Sequence, residues 1–156
     1  MLFCVKIDYL IMLKPQEHPS SVNIIKWAYQ KPKPSTVGLK QDVQSAWDEA
    51  ITTIDNADLL LTLALDRNCP RRVNILRYLY FLVGTSVSRH AGSDVAKIKE
   101  LLETAKSSSD KVIINWVTRS RIILGDLRKF DYTEWCLGGF VDRDISIMYA
   151  SSPQPQ

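Results

Sequence analysis

The feature that most constrains this chain is a likeness between two of its own stretches. An offset of 41 residues pairs Leu60 with Leu101, Leu61 with Leu102, Ala64 with Ala105, Val73 with Ile114, Asn74 with Asn115, Leu76 with Val117, Leu82 with Ile123, Val83 with Leu124 and Gly84 with Gly125. Apolar residues kept in register over two helical stretches mean that one helix–turn–helix layout occurs twice. A chain with this pattern is predicted to be mainly α, its hairpins burying their apolar faces on one another.

The remaining segments fit around that pair. Residues 39–54 carry Val43, Ala46, Trp47, Ala50, Ile51 and Ile54 at helical spacing, an amphipathic helix. A shorter helix over residues 22–30 has Ser20 or Ser21 as its N-cap and Ile25, Ala28 and Tyr29 inward, and Pro32, Pro34 and Gly38 break it. The leucine-dense helix at 59–65 takes Asn56 or Asp55 as its cap. Pro70 opens the next, whose Val73, Leu76, Leu79, Leu82 and Val83 lead to Gly84 as a stop. Ser93 caps a helix over 94–106 with Val95, Ile98, Leu101, Leu102 and Ala105 inward, and a turn at 107–110 leads to a helix over 111–124 ended by Gly125. Asp131 and Glu134 have capping-box spacing ahead of Trp135 and Leu137. Alternation around Val5, Ile7 and Tyr9, and around Ile145, Ile147 and Tyr149, allows a small terminal strand pair. We expect one domain over residues 1–150 and a disordered tail over 151–156.

Residues 60–84, LLTLALDRNCPRRVNILRYLYFLVG, and 101–125, LLETAKSSSDKVIINWVTRSRIILG, resemble the HEAT-repeat superfamily. The first carries Arg72 near the start of its second helix, whereas Ile113 stands at the matching place in the second. The degenerate likeness covers about half the chain. It implies a short α–α superhelix of about three hairpins, with residues 22–54 as a divergent capping hairpin.

Composition narrows the class further. An apolar fraction of 46% against a charged fraction of 24% supports a packed globular core. No run approaches the roughly 18 apolar residues of a membrane span, and the opening residues lack a secretory pattern. Cys4, Cys69 and Cys136 are an odd set without paired spacing. Together these predict a cytoplasmic protein. A net charge of +3 is too modest to require a polyanionic partner.

No phosphate-binding loop, nucleophile elbow or zinc-ligand pair is present, so no catalytic residue, cofactor or metal is assigned. His18 and His90 read as surface histidines, and Asp48, Glu49, Asp55 and Asp58 as solvated charges. Cys69 and Cys136 read as structural. Two basic groups stand out: Arg67, Arg71, Arg72 and Arg77, and Arg119, Arg121, Arg128 and Lys129. Stacked hairpins would bring Arg71, Arg72 and Arg77 beside Arg119 and Arg121 as a ridge for an acidic protein surface. Local ion pairing and helix-dipole compensation are the competing explanation for the same charges. Tyr78, Tyr80, Phe81, Trp116 and Trp135 read as packing residues unless one is exposed. The resulting expectation is a non-catalytic protein-binding module, in the narrow case an inhibitor or immunity-type protein covering a partner enzyme. The alternative is nucleic-acid binding in the manner of HEAT-like DNA-repair glycosylases, with arginines on phosphates and Trp116 or Trp135 on a base.

Overall fold

The structure is a computed structural model that describes residues 18–31 and 46–131. It is mainly α, with helix over 76% of the described residues and no strand among them. The elements are α1 (Ser21–Tyr29), α2 (Ala46–Ile51), a 3₁₀ turn (Ile54–Asn56), α3 (Ala57–Leu65), α4 (Arg72–Ser88), α5 (Gly92–Ala105), α6 (Lys111–Gly125) and a closing 3₁₀ turn (Leu127–Lys129). The expected terminal strands, the helix opened by Asp131 and Glu134, and the tail lie outside the described residues.

Short turns join α3 to α4 and α5 to α6, giving two helical hairpins. The long α4 is the hub, packed on α3, α5, α6 and the closing turn, while α1 rests on α3. Leu60, Leu61, Ala64, Leu76 and Leu82 are buried, and so are Leu101, Leu102, Ala105, Val117 and Ile123 at the same offset. Of the residues expected inside, Leu61, Leu76, Leu79, Leu102, Val117 and Ile123 are all within the core, whereas Trp47, Val73 and Val95 are only half-buried.

Local chemistry explains most helix limits. Ser20 is the extended N-cap of α1, its hydroxyl accepting the Asn23 N–H at 3.2 Å. Asp110 caps α6 by accepting the Val112 N–H at 3.0 Å. Asn56 precedes α3 but caps nothing with its side chain, whose amide donates to the Ile51 carbonyl. Ala91, not Ser93, is the N-cap of α5.

Four further expectations need correction. The inward face of α1 is Ile24 and Ala28, with Ile25 and Tyr29 41% and 44% exposed. A helix this short covers only one narrow stripe, and the Tyr29 hydroxyl reaches sideways to Asp66. The helix expected to run to Ile54 ends at Ile51, because Thr52 turns its hydroxyl onto the Asp48 carbonyl (2.6 Å) and Thr53 is extended. The helix expected to open at Pro70 begins at Arg72, after a turn closed by the Arg72 N–H donating to the Cys69 carbonyl.

Gly84 does not stop α4, which continues to Ser88. It is there for close approach: a Cβ on Gly84 would lie 2.7 Å from Cε2 of Phe130, whose ring stacks on Tyr80 at 4.9 Å. The actual stop is His90 at φ 53. The His90 N–H donates to the Val87 carbonyl and the Ala91 N–H to the Ser86 carbonyl, the paired bonds of a Schellman motif.

Ionic contacts stitch the hairpins together. Arg72 donates through Nε to the Ala64 carbonyl (3.2 Å) and through Nη2 to Asp110 (2.7 Å), while Arg67 approaches the same carboxylate at 3.2 Å. Burial pushes the Asp110 carboxyl up, but the Arg72 bond, the Val112 N–H and the two arginine charges outweigh it and leave the group below its ordinary value. Lys97 of α5 pairs with Asp58 of α3 at 2.8 Å.

Candidate binding face

Where α1, α2 and the first half of α4 meet, the chain assembles a face of aromatics and arginines. Trp27 stacks on Tyr78 at 6.0 Å and meets Trp47 at 6.2 Å. The Arg71 guanidinium lies 5.1 Å above the Trp27 ring, a cation–π contact. The Tyr78 hydroxyl donates to Asp48 at 2.6 Å. Burial raises the Tyr78 phenol well above its ordinary value, and the Asp48 bond adds to the rise. The positive charges of Arg71 and Arg77 oppose it.

The polar balance of this face is one-sided. The buried nitrogens Trp47 Nε1, Arg71 Nε and Arg77 Nε have no hydrogen-bond partner among the described residues. Arg71 and Arg77 make no side-chain ion pair with any described residue. Asp48, the acid in the cluster, accepts from the Tyr78 hydroxyl. The face thus holds buried donors without matching acceptors among the described residues. A buried donor left unmatched costs about 1–3 kcal/mol. On the outer side of α1, Val22, Ile25 and Tyr29 form an exposed apolar stripe, with Val22 at 59%.

The arginines singled out from sequence take different places. Arg71 and Arg77 lie in this cluster. Arg72 joins the seam between hairpins. Arg119 is 3% exposed, its Nη2 donating to the Lys129 carbonyl at 3.0 Å. Arg121 is exposed and pairs with Glu103 at 2.9 Å. Arg128 doubles back on Asp126, which caps the closing turn.

Other candidates also find their surroundings. Cys69 is buried, its thiol donating to the Ala28 carbonyl at 3.5 Å and pushed up by burial. His18 and His90 are exposed. Tyr80 and Trp116 are fully buried, and Phe81 is half-buried. Burial removes Trp116 as a base-stacking side chain; Trp135 and Cys136 lie outside the described residues. Trp27 was not among the sequence candidates, and Trp47 was expected in the core. Their spacing on separate helices gives no sign that they meet. No family model, curated protein or solved structure matches this chain. Among the described residues, no helix is long and apolar enough to cross a membrane.

Proposed function

We propose that this chain is a non-catalytic, cytoplasmic protein-binding module, a short HEAT-like stack of hairpins whose Trp27–Trp47–Arg71–Arg77–Tyr78 face receives an acidic surface of a partner protein. The observation that carries this reading is the group of unmatched donors, Trp47 Nε1, Arg71 Nε and Arg77 Nε, gathered on one aromatic face. Tryptophan, tyrosine and arginine supply most interface hot spots, and guanidinium groups bind carboxylates through paired charge-assisted bonds. The exposed stripe of Val22, Ile25 and Tyr29 gives the same contact an apolar flank. Covering a partner enzyme, as an inhibitor or immunity-type protein does, is the narrower role that a module of this size suits.

Isothermal titration of the full chain with a capped oligoglutamate peptide, and separately with oligothymidylate, tests the reading. The expected result is saturable binding of the peptide, weakened at least about tenfold (~1.4 kcal/mol) by combined Arg71→Glu and Arg77→Glu substitution. Tight binding of oligothymidylate with a steep salt dependence, and none of the peptide, would instead establish nucleic-acid recognition and overturn the proposal. Peptide binding indifferent to both substitutions would overturn the assignment of the face.

A further inference from the structure

The second half of α4 borders a different concavity. A cleft of about 530 Å³ opens between the end of α2, α4 and the start of α5. Its walls carry Glu49 from α2, Arg89 from the end of α4 and Asp94 from α5, with Ile54 and Phe81 as apolar surface and Thr85 between them. The volume falls within the range of small-molecule sites, about 300–1,000 Å³.

The charges on these walls do not satisfy one another. Arg89, Glu49 and Asp94 form no ion pair with each other or with any other described residue, although opposite signs face one cleft. Arg89 is the C-cap of α4, fixed by the bonds around His90, and Asp94 sits in the first turn of α5. A lone cation in the cleft would leave Arg89 facing it with like charge, and a polyanion would meet Glu49 and Asp94. A ligand bearing both charges suits both signs. Phe81 and Ile54 add a place for an apolar group.

We infer that this cleft binds a small zwitterion with an apolar substituent, an α-amino acid with an aromatic or branched side chain, whose carboxylate meets Arg89 and whose ammonium meets Glu49 and Asp94. The site is separate from the Trp27–Arg71 face and does not depend on that reading.

The probes are L-phenylalanine, phenethylamine, which lacks the carboxylate, and N-acetyl-L-phenylalanine, which lacks the ammonium. Each is titrated into the full chain and followed through the backbone amide resonances of Thr85, Arg89 and Asp94. Phenylalanine is expected to bind at least about tenfold more tightly than either probe. Arg89→Gln should abolish its advantage over phenethylamine, and Glu49→Gln with Asp94→Asn its advantage over N-acetylphenylalanine. Arg71→Glu with Arg77→Glu should change none of these affinities. Thermal melts of the cleft variants are expected to match the parent, since the three charges make no ion pair with any described residue. No saturable shift with phenylalanine at millimolar concentration, or equal affinity for all three probes, would overturn the inference.

Discussion

Arg71 and Arg72 are neighbours in sequence with opposite fates. Arg72 is anchored at both ends of its guanidinium, by the Ala64 carbonyl and by Asp110 from the next hairpin. Arg71 lies over the Trp27 ring, and its Nε has no acceptor among the described residues. One arginine completes the seam between hairpins, and the other packs on the aromatic face formed by α1, α2 and α4 without an ion pair among the described residues. What separates them is the presence of a carboxylate: Asp110 reaches Arg72 and Arg67, whereas Asp48 is already held by Tyr78. A basic run becomes structure or binding surface according to which acids the fold brings to it.

The largest expected effect is on the seam. Asp110→Ala leaves Arg72 unpaired at a half-buried position and removes the α6 cap, so chemical denaturation should show a loss of about 3–5 kcal/mol. Arg71→Ala should cost less than about 1 kcal/mol. Equal losses for the two substitutions would erase the contrast between the regions.

Two glycines sharpen the same picture of the hairpins. Gly84→Ala places a methyl group against Phe130 and should destabilise by about 1–3 kcal/mol. Gly125→Ala meets open space at the offset-matched position and should stabilise by about 0.4–1 kcal/mol. The same sign for both in thermal melts would show that the close approach of Phe130 is not what Gly84 provides. His90→Gly relieves a side chain held at positive φ and is expected to stabilise by about 1 kcal/mol.

Acid should act on the seam with the smallest effect. The Asp110 carboxyl is depressed in the folded chain, so its contribution is present above the unfolded value near pH 4 and is lost as pH falls through the lower folded value. Denaturation midpoints measured downward from about pH 5 should fall less steeply for Asp110→Asn than for the parent. Parallel slopes would remove Asp110 from the account.

Much of the helical layout was legible in the sequence because it follows from periodicity and local caps. Ser20 and Asp110 cap where their side chains can reach the next amides, and the apolar stripes of α3 to α6 mark the core. Boundaries set by tertiary contact were not legible. Gly84 has the sequence signature of a helix stop but exists for Phe130, which lies 46 residues later; nothing in the local pattern distinguishes the two roles. The candidate face was half legible: Arg71 and Arg77 stood out as charges, while Arg119 lies in the core and Arg121 pairs with Glu103. Trp27 and Trp47 could not be joined to the arginines because the contact forms across three separate helices.

The most direct test of the difference between the two regions follows the arginine Nε–H resonances of the full chain as the capped oligoglutamate peptide is added. Arg71 and Arg77, whose Nε groups have no acceptor among the described residues, should shift saturably as carboxylates bind their guanidinium groups, while Arg72, already bonded to the Ala64 carbonyl, should stay in place. Stationary Arg71 and Arg77 signals at saturating peptide, or an Arg72 shift as large as theirs, would contradict the account.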